Sequence, residues 1–232
     1  MKVLGIVGGI GPDSTIEYYR SIFREYRNAV PNGSSPHMVI RSVDVRVLLD
    51  LIGRDQYAEM VNYFSDAIAS LAAAGADFAI IAANTPHIVF DELREISPVP
   101  LLSIVDATCQ AARALHMSRL GLIGTRFTMQ ADFYQKLFGK EGIALAVPDK
   151  EDQNRIHEIY VGELLNGQFL SGSREYICHV IERLIRIHGI QGVILAGTEL
   201  PLLMGDSREV SGVTLLDTTQ IHVKAAVAEL LR

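Results

Sequence analysis

Twice in this chain an apolar run breaks abruptly into short polar residues, and that repetition constrains the fold more than any other feature. Residues 78–83 run into Asn84-Thr85-Pro86-His87, and residues 193–196 run into Gly197-Thr198-Glu199-Leu200. Such a junction reads as a buried strand delivering the chain to a helix start. Backbone N–H groups and short hydroxyl or amide side chains gather there and favour anions. A second pair repeats the design, since Leu4-Gly5-Ile6-Val7-Gly8 is similar to Leu120-Gly121-Leu122-Ile123-Gly124. The offsets of the two pairs are 116 and 114 positions. Nearly equal offsets point to two related halves, although any two strand-to-helix turns share some likeness.

Between these junctions, strand, turn and helix patterns alternate. Residues 2–7 read as a buried strand ending in Gly8-Gly9-Ile10-Gly11-Pro12-Asp13-Ser14-Thr15. There Pro12 suits a helix start, and Asp13, Ser14 and Thr15 are candidates to cap N–H groups. A helix from about 14 to 28 follows, then a turn-rich loop from Pro31 to Pro36 and a strand over 38–43. A helix over 57–74 leads into the 78–83 strand. After Pro98 and Pro100 the pattern restarts with strands over 101–105, 120–124 and 143–147. Residues 124–129 read as a polar, glycine-bearing turn, and helices are expected over 106–117, from that turn to about 138, over 152–165 and over 173–188. The alternation predicts an α/β fold of two pseudo-symmetric lobes, each a parallel sheet flanked by helices, with the ligand cleft between them. The lobes are expected at 1–99, completed by a C-terminal helix over 217–232, and at 100–216. In that arrangement Ala83 and Gly197 face one another across the cleft.

Composition narrows the partners. A formal charge of −6 leaves no basic surface, which argues against nucleic acid. Mean hydropathy is only +0.22, and no apolar run reaches the roughly 18 residues that span a bilayer. The N-terminus enters a strand directly, without a signal-peptide pattern, so a cytoplasmic protein is expected. Cys109 and Cys178 sit in amphipathic helix patterns, not in a disulfide framework or metal-ligand spacing. No metal-binding motif is found, and Gly8-Gly9-Ile10-Gly11 lacks the spacing of a dinucleotide fingerprint. No metal and no cofactor are therefore expected.

The ordered set Gly8-Gly9-Ile10-Gly11-Pro12, Ser42-Val43-Asp44, Asn84-Thr85-Pro86-His87, Gly124-Thr125-Arg126-Phe127-Thr128-Met129, Glu163-Leu164 and Thr198-Glu199-Leu200 resembles the aspartate/glutamate racemase family. These are cofactor-independent amino-acid racemases, and the resemblance covers essentially the whole chain. It is closest to the bacterial broad-specificity aspartate/glutamate racemases. The resemblance implies a homodimer, amino-acid or dicarboxylic-acid ligands, and isomerase-type chemistry at Cα. It also implies a cysteine before Asn-Thr in the first motif and another before Thr-Glu in the second. Racemisation removes a weakly acidic α-proton on one face and returns one on the other, so two acid/bases must flank the carbon. Thiols suit this because their pKa is readily tuned. This chain has Ala83 and Gly197 at those positions, and neither carries a titratable atom.

His87, four residues past Ala83, is either a group near the chemistry or a hydrogen-bonded helix-start residue. Glu199 is either a proton acceptor or a helix cap. Asp44 is a turn former or a ligand-facing residue, and Asp106 and Asp217 read as caps. Asn84, Thr85, Thr125, Thr128 and Thr198 are short donors at strand-to-helix turns, and the resemblance implies that they hold an α-carboxylate. Arg46 and Arg155 align with basic clamp positions for a second carboxylate, with exposed surface arginines as the alternative. Arg126 beside Thr125 is a further candidate. Ile10 is expected to shape side-chain specificity. Three functions remain open: a racemase, a catalytically inactive small-acid binder, and a related lyase or decarboxylase using other groups.

Overall fold

Continuous apolar runs become parallel strands because residues buried on both faces of a sheet are apolar at every position rather than at alternate ones. The structure, a computed structural model, describes residues 2–31 and 34–232. Asn32 and Gly33, in the loop expected over 31–36, lie outside the described residues. The chain divides into two compact units, one of Met1–Ile104 with His222–Arg232 and one of Val105–Ile221.

The first unit holds β1 (Val3–Gly8), α1 (Pro12–Ala29), β2 (His37–Ser42), α2 (Val45–Gly53), α3 (Tyr57–Ala73), β3 (Phe78–Ile81), α4 (Phe90–Ile96) and β4 (Leu101–Leu102). A 3₁₀ turn, Thr85–Val89, precedes α4. The sheet order is β2-β1-β3-β4, all parallel. Its core joins Leu4, Ile6, Phe78 and Ile80 of the strands to Tyr18, Ile22 and Tyr26 of α1. Val223, Ala226, Val227 and Leu230 of the C-terminal helix complete it.

The second unit contains α5 (Ile104–Ala114, which starts one residue before the unit), β5 (Arg119–Gly124), α6 (Arg126–Gln130), α7 (Phe133–Lys140), β6 (Ala144–Ala146), α8 (Lys150–Gly162), α9 (Ser171–His188), β7 (Gly192–Ala196), α10 (Leu200–Met204), β8 (Glu209–Val210) and β9 (Val213–Asp217). The C-terminal helix is α11, Thr218–Leu230. The sheet order is β6-β5-β7-β9-β8, parallel except for the β8–β9 hairpin. The four parallel strands therefore repeat the order of the first unit. Its core is built from Ile123, Val193 and Leu195 of the sheet with Ile156, Ile159 and Tyr160 of α8 and Ile177, Val180, Ile181 and Leu184 of α9.

Some local expectations change. The apolar run 101–105 splits into a two-residue strand and the first turn of α5, so Asp106 lies in the first turn of that helix rather than ahead of it. Gly11, not Asp13 or Ser14, is the N-cap of α1, without a side-chain capping bond. The Ser14 and Thr15 hydroxyls instead donate back to the Gly11 carbonyl, each at 3.0 Å, while Thr15 Oγ1 accepts from Gly9 N–H at 2.9 Å. Asp44 caps α2 by accepting from Arg46 N–H at 2.8 Å, and Asp217 accepts from Gln220 N–H at 3.0 Å.

Two buried histidines of the first unit hold the chain where β4 ends. His87 Nε2 accepts from Ile104 N–H at 3.3 Å, and its ring stacks on Phe90 with centroids 4.4 Å apart. His222 Nε2 lies 3.0 Å from the Leu102 carbonyl and therefore donates, so its Nδ1 accepts the Tyr18 hydroxyl at 2.9 Å. Burial, followed by repulsion from His222, pushes the His87 pKa down to about 3. Burial lowers His222 to about 4. Both rings are therefore neutral near pH 7. An imidazole in the unfolded chain titrates near 6.5, so between these values the unfolded state binds more protons. Stability is thus expected to be full above about pH 6.5 and to be lost as pH falls below it. The loss from pH 7 to pH 5 is expected to be roughly 3–4 kcal/mol for the pair. Urea denaturation at the two pH values measures it. His222→Gln is expected to remove about half of the dependence, and a pH-independent midpoint would contradict this reading.

Candidate functional site

In the first unit, β3 ends at Ile81, and Ala82 to Thr85 carry the chain into the 3₁₀ turn. Pro86 at the start of that turn fits a position whose N–H has no partner within the helix. Ala83, Asn84 and Thr85 are all buried, with exposures of 4%, 2% and 8%. Ala83 presents only a methyl group. His87 N–H donates to the Asn84 carbonyl at 3.0 Å, closing the turn. With its Nε2 accepting from Ile104 and its ring buried, His87 supports this turn as a neutral residue.

Near this turn, Gly9 takes a positive φ of 85°, and Ile10 beside it is buried. Only glycine adopts that backbone without strain, and it lets the chain pass close to β2. Val43 N–H donates to the Gly8 carbonyl at 2.9 Å, fastening the two strand ends together. Arg46 is exposed on the first turn of α2.

In the second unit, β5 ends in a turn that the sequence caps cleanly. Thr125 is the N-cap of α6, its Oγ1 accepting from Thr128 N–H at 3.2 Å and lying 3.1 Å from Thr128 Oγ1. Both threonines are buried. Arg126, half-buried, sets its guanidinium over the Phe127 ring at 5.4 Å. Phe127 in turn meets His157 edge-on at 5.2 Å. Burial, then the charge of Arg126, lowers the His157 pKa. Arg155 is exposed and paired with Glu158, Nη1 to Oε2 at 3.1 Å. The two form an exposed i,i+3 surface pair on one helix, of a kind worth about 0–1 kcal/mol.

After β7, Gly197 leads to Thr198 and the fully buried Glu199. Glu199 stands at the N-terminus of α10, but its carboxylate does not cap that helix. Instead it accepts the Tyr160 hydroxyl in a short bond and the Thr198 hydroxyl at 3.0 Å. The Glu199 N–H points at the Tyr160 oxygen at 3.5 Å. Burial raises the phenol well above its ordinary pKa, and the neighbouring Glu199 raises it further, so Tyr160 keeps its proton. The Tyr160 and Thr198 hydroxyls thus converge on one oxygen of the Glu199 carboxylate, Oε2.

Neither cysteine is an activated thiol. Burial pushes Cys109 up to about 11, and it also raises Cys178. Among the described residues no group of His, Cys, Asp or Glu is arranged to hold a metal ion, and no helix is long and apolar enough to cross a membrane. Sequence reasoning missed Tyr160 and His157, which lie on the helix expected over 152–165 but reach these turns only through the fold. It also missed His222 on the last helix.

The repeated parallel α/β unit with polar strand-end turns is the class of fold, and sequence comparison supplies the family. Residues 7–226 match the model of the Asp/Glu/Hydantoin racemase family, and the chain belongs to that family. Over their full lengths, the chain is 32% identical to an aspartate racemase homologue from Pyrococcus horikoshii OT3, with a TM-score of 0.80. The corresponding values for a candidate Asp/Glu racemase from Yersinia pestis are 34% and 0.87. The broad-specificity amino-acid racemase RacX of Bacillus subtilis is 30% identical over 146 residues, which is 60% of this chain and 62% of RacX. The fold, with two parallel-sheet units flanked by helices, is that of these racemase structures.

Proposed function

We propose that this racemase-family protein binds a small amino acid or dicarboxylic acid at its strand-end turns and, without a thiol at either turn, does not exchange the α-proton. The observation that carries this reading is the pair of turns after β3 and β7. At residue 83 there is a methyl group, and at residue 197 there is no side chain but a tyrosine ring in its place. Asn84, Thr85, Thr125 and Thr128 supply short polar groups at buried turns, which suits a carboxylate. Arg126 beside Thr125 is a candidate cation for a second carboxylate, and so is Arg155, whose exposed pairing with Glu158 is weak enough to give way. The names of the relatives, racemases of aspartate, glutamate or several amino acids, support ligands of this class.

A second reading keeps racemase-type chemistry and assigns it to groups other than thiols. The Tyr160–Glu199 pair favours it as a proton-bearing arrangement beside position 197. A thermal-shift panel of D- and L-aspartate, D- and L-glutamate and simple dicarboxylates tests ligand class. At 100 times Kd, a bound ligand stabilises by about 2.7 kcal/mol, a rise of several degrees. No shift with any carboxylate at millimolar concentration would count against binding.

A further inference from the structure

Gly197 is a glycine whose missing side chain has been replaced in space. An ideal Cβ built there would lie 2.4 Å from Tyr160 Cε2, 2.9 Å from its hydroxyl oxygen and 3.0 Å from Cζ. Carbon atoms pack at about 3.5–4.0 Å, so even alanine does not fit while the ring stays where it is. The ring is held. Tyr160 is 5% exposed, belongs to the apolar core of the second unit and donates its hydroxyl to Glu199.

We infer that Tyr160 is a positioning residue that decides what the turn after β7 can carry. Its ring fills the volume of any side chain at 197, so glycine there and tyrosine at 160 are a matched pair. A proton-exchanging side chain at 197 becomes admissible only when residue 160 is small. In this chain the turn therefore presents a phenol bound to Glu199 instead of a side chain of its own. The consequence for ligand chemistry rests on the function proposed above; the steric pairing stands apart from it. The ring carbons, not the hydroxyl alone, are the obstacle.

A double-mutant cycle in thermal unfolding tests the pairing. Gly197→Ala is expected to lower the melting temperature by about 3–10 °C as an overpacking substitution. Tyr160→Ala lowers it by leaving a cavity. The double variant is expected to melt well above the sum of the two losses, because the new methyl group enters space the ring has left. Tyr160→Phe combined with Gly197→Ala keeps the full penalty of Gly197→Ala, because the ring remains. A merely structural tyrosine gives no such difference between the alanine and phenylalanine partners. Where Gly197→Ala fails to fold alone, recovery of folding in the double variant with Tyr160→Ala has the same meaning. Additive losses, or relief by Tyr160→Phe, would overturn the inference. Failure of the wild-type protein to bind any carboxylate would sink the proposed function and leave the outcome of this cycle unchanged.

Discussion

Cysteines placed together at positions 83 and 197 are expected to give no α-proton exchange unless Tyr160 is shortened at the same time. Residue 83 is the simpler half, since alanine already carries the Cβ on which a thiol is built. Position 197 differs, because its Cβ would collide with the Tyr160 ring. A thiol forced in beside that ring either distorts the turn or displaces the phenol from Glu199, leaving a buried carboxylate without one of its donors. Shortening Tyr160 to alanine opens a cavity and costs about 3–5 kcal/mol, which the cysteine side chain partly offsets by filling the space. Positioned acid/base groups typically contribute about 10²–10⁴ each. The triple variant Ala83→Cys, Tyr160→Ala, Gly197→Cys is therefore expected to exceed the double variant Ala83→Cys, Gly197→Cys by about 100-fold or more. The rate to compare is Cα deuterium incorporation into aspartate or glutamate. Equal rates in the two variants would show that the ring is no obstacle to the chemistry.

Gly9→Ala is expected to be the most damaging single methyl group in the first unit. Its φ of 85° is a backbone conformation that costs an ordinary L-residue about 1–2 kcal/mol. The added Cβ would also lie 2.2 Å from the Val43 carbonyl oxygen and 2.8 Å from the Val43 nitrogen. That backbone is fastened to Gly8 by a 2.9 Å hydrogen bond, so relief requires parting the ends of β1 and β2. A loss of about 4 kcal/mol or more is expected, a large share of the 5–15 kcal/mol that typically holds a domain together. Gly53→Ala is the control, because nothing lies within 4 Å of its added Cβ and it sits in the last turn of α2. It is expected to be neutral or to gain up to about 1 kcal/mol. Urea unfolding of the two variants gives the comparison, and equal effects would contradict the backbone explanation.

The central strands were legible because each is a continuous apolar run stopped by glycine or a polar turn. The run 101–105 was misjudged for the same reason that it looked convincing. A short apolar stretch fits a buried strand and a buried helix start equally well, and here it is divided between β4 and α5. The polar turn expected over 124–129 holds a short helix of its own, α6, and α7 follows it after Ala131 and Asp132. Among the elements without an expected range, α2 and the β8–β9 hairpin carry signals in the sequence. Asp44 before Leu48 and Ile52, four residues apart, marks the capped amphipathic α2. Ser211 and Gly212, both at positive φ, form the turn between β8 and β9, a Ser-Gly hairpin signal.

The turns themselves were readable, since Asn84-Thr85 and Thr198-Glu199 follow apolar strands. Tyr160 was not readable. Nothing in its own segment distinguishes it from an ordinary core aromatic residue, and its meaning comes from lying against a glycine 37 positions away. His87 and His222 are similar cases, since one pins Ile104 and the other Leu102 from distant parts of the chain. Periodicity reports which face is buried; it carries no information about which buried side chain takes the space another has left.

The most direct test follows the Cα signal of L-aspartate and L-glutamate by proton NMR in D₂O with the wild-type protein, alongside calorimetric titration of the same ligands. The expected result is saturable binding of at least one of them with no loss of the Cα proton above the protein-free rate. Rapid Cα deuteration, or appearance of the D-enantiomer, by the wild-type protein would contradict it and transfer the chemistry to groups other than thiols, with Tyr160 and Glu199 first among them.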